Sequence, residues 1–266
     1  DIQDVGARFY TYISTLHYVM ETCAEANVPL IILDRPNPNA HYVDGPMMQP
    51  DYTSFIGMHP VPVIYGMTIG EYGQMIEGEG WLSDGLSCDL TVIKCQHYDH
   101  SKRYDLPIAP SPNLPNALSV ALYPSLCFFE GTTVSAGRGT DMQFQIYGHP
   151  GLSTERFSYT PTSRSSSKYP KHQDNMCGGV DLRSKKVSDI RSTASLDLSY
   201  IITAYQQLKS EDKPFFLENN FINKLAGTDQ FKKQILDGLS EAEIKASWQP
   251  GLRAFMQTRN KYLLYD

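Results

Sequence analysis

Three short apolar runs punctuate the first hundred residues: PLIILD (29–34), VPVIYG (61–66) and DLTVIKC (89–95). Runs of this length, rich in Val, Ile and Leu and without polar alternation, suit strands buried on both faces of a parallel sheet. Parallel strands need long crossovers, and the intervening sequence supplies them. Over residues 11–27 the apolar positions Ile13, Leu16, Val19, Met20, Cys23 and Ala24 recur with helical spacing. TIGEYGQMIEGEGWL (68–82) reads as a second helix, with Thr68 and Glu71 at capping-box spacing. The opening DIQDVGARFYTY (1–12) reads as the end of a buried strand followed by a polar turn. Together these predict an α/β chain built on an open parallel sheet.

The pattern continues to about residue 150. LPIAPSPNLPN (106–116) is proline-rich and extended, 117–132 is an apolar helix that Pro124 kinks or divides, and 133–140 reads as strand and turn. Beyond it the character changes. A Ser-rich connection (158–175) precedes a strand at CGGVDLRS, and helices are expected at 196–209, 229–238 and 240–260. The expectation is a sheet domain over 1–150 followed by a smaller α+β domain over 151–266, with no internal repeat.

A net charge of −6 disfavours nucleic acid as the main partner, since phosphate neutralisation needs clustered Lys and Arg. No apolar run approaches the roughly 20 residues of a membrane-spanning helix. Five cysteines at scattered spacings form no disulfide framework, and no basic-then-apolar leader opens the chain.

Ligands of open α/β sheets bind beyond the carboxyl ends of the strands. That rule directs attention to 1–8, 34–44, His59, and the loops around Asn113 and Arg138. Cofactor fingerprints are missing: there is no GxGxxG after a strand and no phosphate-binding GxxxxGK[ST] loop. CQHYDH (95–100) lacks metal-site spacing and reads as a polar turn, and there is no GxSxG elbow. The chain is therefore expected to use neither cofactor nor metal. Carboxylates remain: Asp1, Asp4 and Asp34 near strand ends, Glu77 and Glu79 before Trp81. Paired carboxylates suit glycoside hydrolysis, and caps or ion pairs are the competing reading. Arg8, Arg35 and Arg138 lie in Gly- or Pro-bearing turns, placed either to clamp a ligand carboxylate or to pair internally, as Arg8–Asp4 and Arg35–Asp34.

The stretches DIQDVGARFYTY, LDRPNPN, VDGP, GMHPVPVIYGMTIGE, GEGWL, PSPNLPN, YPSLCFFEGTTVSAGRGT and FQIYGHP, in that order over 1–150, resemble the bacterial NamZ-type exo-β-N-acetylmuramidases. CGGVDL and the SWQPGLRAFMQTRNKYLLY tail are similar to that family's C-terminal domain. The resemblance implies a Rossmann-like first domain and release of N-acetylmuramic acid from the non-reducing ends of peptidoglycan fragments. It implies saccharide partners and a periplasmic or extracellular location. Retention and inversion at the sugar stay open, as does the oligomeric state. A protein that binds muramyl sugars without turnover is the alternative. The family carries a GPEHG-like segment upstream whose glutamate is its strongest catalytic candidate, and no GPEHG occurs in these 266 residues. The expectation is a chain lacking the N-terminal part of its first domain. Asp4 and Asp34 are then supporting catalytic residues. Arg8, Arg35 and Arg138 are candidates for the lactyl carboxylate, Tyr10, Tyr12 and Trp81 for ring stacking, and Asn37, His59, Glu79 and Asn113 for polar contacts.

Overall fold

The structure, a computed structural model, describes residues 1–266. Two compact units divide it: Asp1–Asp105 with Trp248–Asp266, and Leu106–Ser247. The division anticipated near residue 150 falls inside the second of these.

In the first unit, helix α1 (Tyr12–Glu25) buries Ile13, Leu16 and Met20 on the face its periodicity defines. Strands β1 (Leu30–Leu33) and β2 (Leu90–Ile93) pair in parallel, with Leu30 opposite Leu90 and Leu33 opposite Ile93. Helix α2 (Ile69–Gly78) lies between them in sequence, as a parallel crossover requires. Its capping box forms: Thr68 N–H donates to Glu71 Oε2 at 2.8 Å, and Glu71 N–H donates to Thr68 Oγ1 at 3.3 Å. Close approach to the sheet explains two glycines in α2. A Cβ at Gly70 would stand 2.6 Å from Val92, and one at Gly73 would stand 2.9 Å from Ile32.

VPVIYG is not a strand. Val61, Val63, Ile64 and Tyr65 are fully buried, but Ile64 makes only isolated bridges, to Ala7 and Asp44. Pro60 and Pro62 explain the difference, since neither can donate to a ladder. The opening stretch likewise forms no strand, although Val5 and Ala7 are fully buried.

The second unit carries a three-stranded antiparallel sheet in the order β3 (Ile146–His149), β5 (Cys177–Asp181), β4 (Ser158–Tyr159). Helix α3 (Ala117–Leu126) is capped by Asn116, whose side chain accepts from Ser119 N–H at 2.9 Å. Pro124 sits inside it, and the chain tightens to a 3-10 turn over Cys127–Gly131. Of the strand and turn expected over 133–140 only the turn forms, with one bridge from Ser135 to Gly148. Helices α4 (Val187–Thr193), α5 (Ser199–Ser210), α6 (Phe221–Ala226) and α7 (Gln230–Leu236) follow. Phe128 against Phe231 and Phe129 against Tyr147, both with centroids 4.8 Å apart, mark its aromatic core.

Helix α8 (Glu241–Arg259) changes allegiance along its length. From Trp248 onward it belongs to the first unit, where Phe255 joins the core around Tyr65 and Tyr72. The tail is tied down by polar contacts. Arg259 Nε donates to the Gly66 carbonyl at 2.9 Å, and Leu264 N–H donates to Glu71 Oε1 at 2.8 Å. The molecule is thus mixed α/β, with a small parallel sheet and a separate antiparallel one.

Candidate active site

Asp4 is the carboxylate with unused capacity. Gly6, at φ +74°, turns the chain so that its N–H reaches Asp4 Oδ2 at 2.9 Å. The Tyr65 phenol donates to the same oxygen. The other oxygen, Oδ1, is buried without a hydrogen-bond partner. Burial pushes the Asp4 carboxyl up to about 6, against the opposing pull of the Tyr65 and Gly6 hydrogen bonds. A carboxyl so placed exchanges a proton in the mildly acidic range, which general acid–base work needs.

Tyr10 and Tyr12 stand next along the chain, part-exposed, with ring centroids 5.0 Å apart and edge to face. Burial raises the Tyr10 phenol, and Tyr12 and the charge of Asp4 raise it further. These two rings and Asp4 are predicted residues that the fold brings together.

Asp34 serves otherwise. Its Oδ1 accepts from the N–H groups of Arg35 (2.9 Å) and Gly70 (2.8 Å), and its Oδ2 accepts from Thr68 Oγ1 and the Tyr265 phenol, both at 2.7 Å. Four donors fill both oxygens. The residue pins the end of β1 to the first turn of α2 and to the chain's tail, and it offers substrate no lone pair. Arg35 pairs with Asp1 at the surface rather than with Asp34, its Nη2 donating to Asp1 Oδ2 at 3.0 Å.

Other predicted contacts are structural as well. Arg8 is fully buried and donates through Nη1 to the carbonyls of Pro46 (3.0 Å) and Val61 (2.5 Å). Burial lowers its guanidinium to about 9. Asn37 is buried too. Its Nδ2 donates to the Met67 carbonyl and its Oδ1 accepts from Asn39 N–H, both at 2.8 Å, while Asn39 Nδ2 holds the Val5 carbonyl at 2.8 Å. A side chain at position 6 would collide with Asn37, which lies 2.3 Å from an ideal Cβ there. His59 spends both ring nitrogens, on the Tyr72 phenol and His17 Nδ1, each at 3.0 Å. Its ring stacks on Trp81 at 4.7 Å and 15°, which occupies one indole face. Burial, reinforced by His17, lowers His59 to about 3, so it is neutral at physiological pH. Glu79 accepts from Tyr262 Oη at 2.7 Å and Lys261 Nζ at 3.1 Å and holds the tail.

Two predicted residues lie in the second unit. Asn113 Nδ2 donates to the Ser166 carbonyl at 3.1 Å, while its Oδ1 is buried without a partner. Arg138 Nε donates to Glu130 Oε1 at 2.9 Å, and the guanidinium lies 5.1 Å from the Phe144 ring centroid. It takes the internal pairing, with a glutamate from the 3-10 turn as partner.

Two family profiles match the chain end to end in order: "Exo-beta-N-acetylmuramidase NamZ, N-terminal" over residues 1–118, and the corresponding C-terminal profile over 121–265. The chain belongs to the exo-β-N-acetylmuramidase NamZ family. A NamZ relative from Bacillus subtilis (strain 168), named peptidoglycan beta-N-acetylmuramidase, is 37% identical over 287 residues; the match takes in all of this chain and 66% of the relative. The chain thus spans just under two thirds of that protein's length. A solved structure of a DUF1343 family protein from Bacteroides fragilis NCTC 9343 superposes with a TM-score of 0.95 at 46% identity, covering all of this chain and 74% of that one. A second DUF1343 protein from the same organism, 24% identical, shares the fold with a TM-score of 0.80.

Within this NamZ-family chain, Tyr65 is the hydrogen-bond partner of Asp4 that sequence reasoning overlooked. It sits in a run read as a strand, and a buried tyrosine signals only that its phenol needs some partner. The network from Tyr72 through His59 and His17 to Glu21, where His17 Nε2 stands 3.2 Å from the carboxylate, joins groups from distant parts of the chain and leaves no local pattern. Lys171 was unremarked also. Its ammonium donates to the carbonyls of Phe129 (2.8 Å), Thr132 (2.7 Å), Glu130 and Val134 (both 3.3 Å).

Proposed function

We propose that this chain works as part of an exo-acting β-N-acetylmuramidase that releases N-acetylmuramic acid from the non-reducing ends of peptidoglycan fragments. The observation that carries the reading within the structure is Asp4: a buried carboxyl raised to about 6, held through one oxygen and unpartnered at the other. Support also comes from both NamZ profiles and the name of the Bacillus relative.

In this reading Asp4 is a supporting acid–base group beside the glutamate that the family resemblance implies. Protonated, it donates to a sugar oxygen; ionised, it stabilises positive charge developing at the anomeric carbon. Tyr10 and Tyr12 supply faces for the sugar ring. The parallel β1–α2–β2 crossover is the unit from which a Rossmann-like sheet is built, and we assign the first domain to that class. A periplasmic or extracellular location follows from the substrate, since the cell wall lies outside the cytoplasmic membrane.

The test is incubation of the protein, carried to the family's full length, with the disaccharide in which N-acetylmuramic acid precedes N-acetylglucosamine. Liberation of free N-acetylmuramic acid is expected. Saturable binding by calorimetry without product would instead mark a muramyl-sugar binding protein.

A further inference from the structure

The turn that follows α3 aims four carbonyls at one point. Lys171 Nζ stands 2.7 Å from the Thr132 oxygen, 2.8 Å from that of Phe129, and 3.3 Å from those of Glu130 and Val134. An ammonium has three hydrogens, so four oxygens around it exceed what directed hydrogen bonds can serve one to one. The arrangement is that of a cation held by carbonyl dipoles, as backbone carbonyls replace the hydration shell of potassium in a channel filter. Packing on the other side of the turn holds it in this shape. The Gly131 carbonyl accepts from Leu217 N–H at 3.1 Å, and Thr133 N–H donates to the Phe215 carbonyl at 2.7 Å. Thr133 Oγ1 donates to the Pro214 carbonyl at 2.8 Å. Gly131 lies so close to α6 that a Cβ there would stand 2.6 Å from the Ile222 backbone nitrogen. Within the turn, Thr132 N–H and Oγ1 both donate to the Phe129 carbonyl, at 3.0 and 2.9 Å.

We infer that the carbonyls of Phe129, Glu130, Thr132 and Val134 form a monovalent-cation site, which the chain fills with the tethered ammonium of its own Lys171 and which takes free potassium or ammonium ion once that tether is removed. The distances select the class of ion. Calcium binds oxygen at about 2.3–2.6 Å and magnesium at about 2.0–2.1 Å, shorter than any of the four contacts. Contracting the ring to fit either ion would pull the turn off the 214–222 segment against which it is packed. The occupant matters beyond the turn itself. The same stretch carries Glu130, whose Oε1 accepts from Arg138 Nε at 2.9 Å, so the cation that orders these carbonyls also positions the partner of Arg138. The inference concerns the second unit alone and stands or falls independently of the proposed activity.

The test compares two variants in different chloride salts at constant ionic strength. Lys171 is half-buried, so Lys171→Ala removes the ammonium and opens a path from solvent to the ring. Lys171→Met removes the charge but leaves a stem of similar length in that path. In choline chloride both variants should melt below the unaltered chain. Potassium or ammonium chloride should return at least half of the melting temperature lost by Lys171→Ala, with a saturable dependence on concentration, because an ion that binds only the folded state stabilises it by mass action. Amides of 129–134 should regain protection from hydrogen exchange in parallel. Lithium, magnesium and calcium chlorides should not rescue it, and neither Lys171→Met nor the unaltered chain should distinguish potassium from choline. If Lys171→Ala fails to fold in choline chloride, refolding it in ammonium chloride becomes the readout, with recovery expected there. A Lys171→Ala chain that responds alike to every salt, or that recovers in none, would overturn the proposal. So would an equal potassium response in Lys171→Met, which would place the ion elsewhere.

Discussion

Tyr65 donates its phenol proton to one oxygen of Asp4 while the other oxygen of the same carboxylate lies buried with nothing to accept from. This arrangement fixes the side chain without saturating it. It also makes ionisation of Asp4 costly, because burial favours the neutral form.

The first prediction concerns stability and pH. Asp4 titrates near 3.8 when unfolded and near 6 when folded. Below pH 4 both states are protonated and the group contributes nothing. Between pH 4 and 6 the unfolded state ionises first, so stability falls as pH rises, by on the order of 3 kcal/mol. Asp4→Asn removes that loss. Its melting temperature should exceed that of the unaltered chain at pH 7.5, and the difference should shrink as the pH is lowered towards 4.

His59 gives the opposite slope. Its imidazole is held neutral down to about pH 3 in the folded protein but titrates near 6.5 when unfolded. Protons therefore bind the unfolded chain first, and stability falls as pH drops below 6.5. His59→Gln should flatten that acid limb in urea titrations run from pH 7 to 4. Because both ring nitrogens face protein groups, the substitution should lower stability and leave KM for a muramyl substrate within about twofold. A large KM change at unaltered stability would return His59 to the substrate.

Asp34→Ala should destabilise the first unit by about 2–4 kcal/mol in chemical denaturation. It removes the carboxylate that accepts from the first turn of α2 and strands the Tyr265 phenol. Asp34→Asn keeps part of the acceptor set and should cost less. If Asp34→Ala abolished activity without lowering stability, the pinning role would be wrong.

Lys171→Met should cost the second unit about 3 kcal/mol. The side chain fits the same path but leaves four backbone carbonyls without their shared donor. Accelerated hydrogen exchange centred on 129–134 is the expected readout.

Local signals in the sequence carried much of the architecture. The alternation of apolar runs with helical periodicity anticipated α1, β1, α2 and β2 to within a few residues, and Thr68–Glu71 announced its own cap. Where expectation failed, the reason is physical. VPVIYG has the composition of a strand, but Pro62 within it and Pro60 just before it deny it a ladder. In TVSAGRGT the expected turn forms, with Gly137 and Gly139 both at positive φ, but the strand before it is reduced to a single bridge at Ser135. For the site, residue type identified plausible chemistry but not surplus capacity. Asp4 and Asp34 are alike in sequence context, each an aspartate near an apolar run. They differ because Asp34 meets four donors and Asp4 meets two, and those donors come from residues 36, 61 or 231 positions away as well as from neighbours. Arginines in Gly- and Pro-bearing turns looked equally fit for ligand or partner; packing pairs Arg35 with distant Asp1, Arg138 with nearby Glu130 and Arg8 with backbone carbonyls.

The central claim, that Asp4 is a working carboxyl of a β-N-acetylmuramidase, is tested most directly by the pH dependence of kcat/KM for N-acetylmuramic acid release. The protein at full family length is compared with its Asp4→Asn variant. The account predicts an ionisation near pH 6 in the unaltered enzyme, lost in the variant together with at least a hundredfold of activity. An Asp4→Asn enzyme that kept both its rate and its pH profile would contradict it.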